Sequence, residues 1–76
     1  MNLEKRNIKE VAARLKALRK QRHLSAEKVA REINISTSAL LKYEIAYRYP
    51  SAEAMAKLAN FYGEDLNELF FVKTDY

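Results

Sequence analysis

Apolar positions in the first third of the chain recur at helical spacing. Ile8, Val11, Leu15 and Leu18 are separated by three, four and three residues, which puts them on one face of a helix, while Lys9, Lys16, Arg19, Lys20 and Arg22 supply the polar remainder. The pattern predicts a first helix from about Arg6 to about Gln21, ending near His23 and Leu24. A basic amphipathic helix can also lie on a membrane surface. Here more periodic segments follow that need its apolar face, so that face is assigned to the core.

Ser25 is a natural N-cap, Glu27 suits the positive end of a helix, and Val29, Ala30 and Ile33 line one side. This predicts a short second helix stopping at Asn34, a residue that tolerates the left-handed conformation of a tight turn. Ser36 caps a third helix with Ala39, Leu40 and Tyr43 inward and Thr37, Ser38, Leu41 and Lys42 outward. Two short helices joined by about three residues form a helix-turn-helix candidate over about residues 25–44.

Residues Ile45 to Pro50 read as a loop, because Pro50 forbids a helix running through it. Ser51 then caps a fourth helix carrying Met55, Leu58, Ala59 and Tyr62, closed by Gly63. The run Asp65-Leu66-Asn67-Glu68 resembles a capping box and opens a last short helix with Leu66, Leu69 and Phe70. No segment alternates as a strand would, the last few residues being the one place that leaves room for it. Residues 71–76 are read as a short tail, and the expected fold class is all-α.

Length and composition narrow the picture. With 76 residues there is room for one small domain, 1–76, and the absence of cysteine excludes disulfides and thiolate zinc sites. At 49% hydrophobic and 32% charged residues the chain is expected to fold compactly. No apolar run approaches the roughly 20 residues that span a bilayer, and the start lacks a signal-peptide segment, so a cytoplasmic protein is expected. The only histidine is His23, in a basic stretch with no carboxylate pair or glycine-rich loop, so neither an enzyme nor a metal or other cofactor is expected. Charge is uneven: residues 1–23 hold eight of the 14 Lys and Arg against Glu4 and Glu10, whereas residues 51–76 hold Lys57 and Lys73 against five acids. A basic half and an acidic half suit orientation on a polyanion, although a solvated helix face gives the same pattern.

The residues Leu24-Ser25, Glu27, Val29-Ala30, Ile33, Ile35-Ser36, Ser38, Leu40, Tyr43-Glu44, Arg48, Pro50-Ser51, Leu58-Ala59, Gly63, Leu66 and Glu68-Leu69-Phe70 follow a known order. It resembles the phage-repressor (Cro/C1, lambda-repressor-like) family of five-helix helix-turn-helix DNA-binding domains, over about residues 8–70. The resemblance implies that the third helix enters the major groove. Its base-reading positions fall on Thr37, Ser38 and Lys42, with Leu41 on the same side. Hydroxyls of Thr37 and Ser38 suit most base edges and Lys42 suits guanine, against the plainer readings of first-turn solvation and a surface lysine. An outward leucine meets either a thymine methyl or a partner protein.

The same resemblance implies phosphate contacts at Ser25 and in the loop after the third helix, from Arg48 and the backbone near Tyr49, where the hydroxyls of Tyr47 and Tyr49 could also donate. Packing of the two rings over the cap of the fourth helix is the alternative. Arg19 and Glu44 fall where the family carries a largely buried ion pair, a structural role. Lys5, Arg6 and Lys9 lie where an N-terminal arm could approach phosphates, or are simply solvated.

Three departures matter: Ala26 stands where a glutamine commonly bridges phosphate and recognition helix, Asn34 replaces a turn glycine, and Ala46 replaces the glycine that ends the third helix. A left-handed alanine costs about 1 kcal/mol, so the third helix is expected to run longer or the loop to differ. The functional expectation is a DNA-binding transcriptional regulator, most simply a repressor, occupying a double-stranded operator as a homodimer. It leaves no room for a small-molecule sensor and needs no membrane. Phe71, Val72 and Tyr76 are the candidate dimer surface, with a frayed tail as the alternative. The rival is a protein-interaction module of the same fold, such as an antitoxin or antirepressor, presenting Leu41 and Ile45.

Overall fold

The structure, a computed structural model, describes residues 2–75. In chain order it consists of β1 (Asn2–Lys5), α1 (Ile8–Gln21), α2 (Ala26–Glu32), α3 (Thr37–Glu44), α4 (Ala52–Tyr62), α5 (Leu66–Phe70) and β2 (Phe71–Thr74). Each helix begins where a short polar side chain replaces the missing backbone partner. Asn7 accepts from the Lys9 amide, Ser25 from Lys28, Ser36 from Ala39, Ser51 from Ala54 and Asp65 from Glu68, at 2.8–3.1 Å.

The first four helices end in one way. His23, Asn34, Ala46 and Gly63 have φ of 55°, 59°, 63° and 68°. After each, the next amide reaches back to a carbonyl of the last turn: Leu24 to Arg19, Ile35 to Ala30, Tyr47 to Lys42 and Glu64 to Ala59, at 2.9–3.2 Å. This is the Schellman closure, and only one of the four uses glycine. Of the two alternatives left by the missing glycine, a longer third helix or a different loop, the longer helix does not occur, since α3 ends at Glu44. Two inward bonds, from the Ala46 and Tyr47 amides, close it at Glu44 and hold the alanine left-handed.

The closures leave the helices packed around one core of Val11, Leu15, Val29, Leu40, Leu58 and Phe70, all fully buried, with Met55, Ala59, Tyr62 and Leu69 beside them. These are the inward positions of the periodic pattern. Ile8 and Leu18, at the ends of the apolar face of α1, are half-buried.

The all-α expectation needs correcting. β1 and β2 pair antiparallel, with Leu3 opposite Lys73 and Lys5 opposite Phe71, in a ribbon that joins the two ends of the chain. Residues 71–74 are thus a strand and not a loose tail, and Arg6 is drawn out of the first helix because its amide bonds Phe70 O at 2.8 Å. Four-residue strands, β1 exposed throughout and β2 mostly half-buried, carry little local signal, and the pairing is between the two ends of the sequence. Of the candidate dimer surface, Phe71 and Val72 are half-buried and Tyr76 lies outside the described residues.

Candidate nucleic-acid interface

α2 and α3 are joined by a turn that fixes one against the other. Asn34 takes the left-handed conformation, Ile35 bonds back to Ala30 O at 3.0 Å and packs on the core, and Lys57 of α4 reaches Asn34 O at 3.4 Å. Ala26 is half-buried against the core, so a short apolar side chain occupies the place where a longer polar one could reach toward α3.

The orientation of α3 is set from the other side by Arg19. Its Nε and Nη2 donate to the Glu44 carboxylate at 2.9 and 2.8 Å, and its Nη1 donates to Leu24 O at 2.9 Å. One guanidinium thereby ties the last turn of α1, the entry to α2 and the last turn of α3. Glu44 is the one buried charged residue among the described residues, at 6% exposure. The hydrogen bond to Glu44 holds the Arg19 guanidinium above its ordinary pKa, outweighing the opposite effect of burial.

With its inner side committed, α3 presents the rest outward. Ser38 and Leu41 are exposed, Leu41 at 43%, and Thr37 and Lys42 are half-buried. Lys42 Nζ lies 5.9 Å from the centroid of the Tyr47 ring, so the side chain leans along the helix toward the following loop. Ile45 and Tyr47 extend this surface as apolar groups, 67% and 71% exposed. Arg48 is exposed, makes no ion pair among the described residues, and sends its amide back to Lys42 O at 3.3 Å. Ser25 is exposed at the start of α2 with its hydroxyl accepting the Lys28 amide.

Tyr49 departs from the phosphate role expected of its hydroxyl. Its Oη lies 3.1 Å from Arg6 O and 3.0 Å from Phe70 O, so its proton is directed into the junction between ribbon and helices. Lys5 Nζ covers the ring at 4.9 Å, and burial pushes the phenol pKa up. The ring packs against the core. Arg6 likewise turns inward, its Nε donating to Glu68 O at 2.9 Å. Among the described residues no group of His, Cys, Asp and Glu could hold a metal ion, and no helix is long and apolar enough to cross a membrane.

Comparison with known proteins converges on this geometry. The family model described as helix-turn-helix matches residues 15–69. The chain is 36% identical over 58 residues to the cryptic phage CTXphi transcriptional repressor RstR of Vibrio cholerae, a match over 76% of this chain and 52% of that protein. The chain thus spans about half the length of that curated relative. Two solved structures of the BldD DNA-binding domain, one of them from S. venezulae, superpose with a TM-score of 0.70 at 31% identity. They cover 83% of this chain and 94% and 92% of theirs. By a family match that spans most of its helical core and a relative 36% identical over 58 residues, the chain belongs to the Cro/C1-type helix-turn-helix family.

Proposed function

We propose that this chain is a sequence-specific DNA-binding transcriptional regulator, a repressor in the simplest case, with α3 as the reading helix. One observation carries the reading. The outward side of α3, between the Ser36 cap and Ile45, is held rigid by the Arg19–Glu44 pair and carries groups that the core does not use. Thr37 and Ser38 offer hydroxyls, Leu41 an apolar contact for a thymine methyl, and Lys42 a donor for guanine. Arg48, Ser25 and Tyr47 flank it as phosphate contacts, together with the backbone around Tyr49, while the Tyr49 hydroxyl is left out because it is engaged inside. The domain acts in the cytoplasm on double-stranded operator DNA, as a homodimer and without catalysis or cofactor. The relatives support the DNA-binding part of this reading, since one is a transcriptional repressor and the other a DNA-binding domain.

Selection from a random DNA library, followed by titration of the winners at several salt concentrations, tests the reading. A defined motif is expected, with log affinity falling by about 0.9 per log salt for each phosphate neutralised. Absence of any enriched motif, or binding indifferent to salt, contradicts it. The exposure of Ile45 and Tyr47 favours a second reading, a protein-interaction module such as an antitoxin or antirepressor, in which partner capture survives high salt.

A further inference from the structure

Thr37, Leu41 and Ile45 are spaced four apart, which sets them in one row along the outward side of α3. Ile45 belongs to the row although it caps the helix, because its amide still bonds Leu41 O at 3.1 Å and its backbone stays close to helical. Thr37 is half-buried, whereas Leu41 and Ile45 are 43% and 67% exposed and neither packs against the core. Two branched apolar side chains one turn apart therefore stand in water with no use in the fold.

Charge decides what covers them. Between Ser36 and Pro50 the only carboxylate is that of Glu44, buried and held by Arg19, while Lys42 and Arg48 border the row. An apolar row edged by cations and by no exposed anion complements a surface that is methyl-bearing and anionic together. The major groove is such a surface, since thymine presents its C5 methyl there between two phosphate strands. Lys42 leans toward the Tyr47 ring, so Leu41 and Ile45 lie uncovered and offer only hydrocarbon to what they meet. A contact of that kind does not distinguish thymine from 5-methylcytosine, which carries the same methyl at the same ring position. Spacing adds a constraint, because four residues of helix rise about 6 Å, close to two base-pair steps of about 3.4 Å.

We infer that Leu41 and Ile45 together read C5 methyl groups about two base pairs apart, so that the DNA recognised by this surface includes cytosine-methylated sites as well as thymine-containing ones. The inference rests on the proposed placement of α3 in the major groove, and it makes Ile45 a specificity-determining residue. The full chain is titrated on the winning duplex of a random DNA selection, with each thymine replaced singly by deoxyuridine, which removes the methyl and keeps every hydrogen-bonding group. Two positions of each half-site are expected to lose affinity about fourfold each, the effect of uncovering one buried carbon. At the same two positions cytosine is then compared with 5-methylcytosine, and methylation is expected to raise affinity by a similar factor. Leu41→Ala is expected to abolish both effects at one position and Ile45→Ala at the other. Both side chains are exposed, so circular dichroism melts and the salt slope of binding should stay parental. Fewer than two uracil-sensitive positions, a methylated cytosine no better than cytosine, or methyl effects that persist in the alanine variants overturn the inference and leave sequence-specific DNA binding standing. Absence of any enriched sequence overturns the DNA reading and the inference with it.

Discussion

Arg19 and Glu44, 25 residues apart in sequence, meet in a forked contact in which Nε and Nη2 of the guanidinium each reach the carboxylate at under 3 Å. Their side chains are 13% and 2% exposed, so the carboxylate has no water to fall back on and the guanidinium has little. The pair fixes the angle of α3 against α1 and thereby decides which side of α3 is presented. Removing one partner strands the other in the interior. Arg19→Ala and Glu44→Ala are each expected to lower the unfolding free energy by about 3–5 kcal/mol. Denaturant titration checks this, and a variant that melts like the parent yet loses DNA would assign Arg19 to the interface instead.

Ala46 holds a φ of 63°, where a β-carbon is unfavourable. Replacing Ala46 with Gly should stabilise the domain by roughly 0.5 kcal/mol, since the left-handed penalty outweighs the extra freedom of glycine in the unfolded chain. Thermal melts decide it: destabilisation would mean that α3 does not end as described.

Tyr49 anchors the ribbon through the carbonyls of Arg6 and Phe70. Tyr49→Phe should cost about 1 kcal/mol of stability and leave the salt dependence of DNA binding unchanged. A fall in salt slope by about one unit would return the hydroxyl to the phosphate backbone.

Tyr62 is buried, its hydroxyl has no hydrogen-bond partner among the described residues, and its pKa is pushed up to about 12, chiefly by burial and secondly by Glu44. Because the folded pKa exceeds that of the unfolded phenol near 10, the neutral form stabilises the fold below pH about 10. That contribution is lost as pH rises from about 10 through 12. Tyr62→Phe should therefore flatten the alkaline limb of the stability profile while costing little at neutral pH, as no hydrogen bond is given up. An unchanged alkaline limb in denaturant melts at several pH values would place the titration elsewhere.

The helices and their inward faces were legible because both signals are local. Serine caps at Ser25, Ser36 and Ser51 precede apolar positions at helical spacing, and the structure uses each in that way. The ribbon was not legible, since its pairing joins residue 2 to residue 74 and neither strand is long enough to alternate visibly. Nor was the inward turn of Tyr49: an aromatic hydroxyl in a loop looks the same in sequence whether it faces a solvent-side anion or a carbonyl behind it. The left-handed Ala46 misled for a different reason. Residue preference argued for a longer α3 or a different loop, but the Schellman bonds of residues 46 and 47 override a penalty of only about 1 kcal/mol.

The central claim, that α3 reads bases while the following loop holds phosphates, is tested most directly by Lys42→Ala and Arg48→Ala on one randomised operator library. Lys42→Ala is expected to relax preference at one base pair by about 1–3 kcal/mol, with nonspecific binding nearly intact. Arg48→Ala is expected to weaken all sequences alike and to lower the salt slope by about one unit. The same uniform loss from both variants would contradict the account, and would hand the exposed surface of Leu41, Ile45 and Tyr47 to a protein partner.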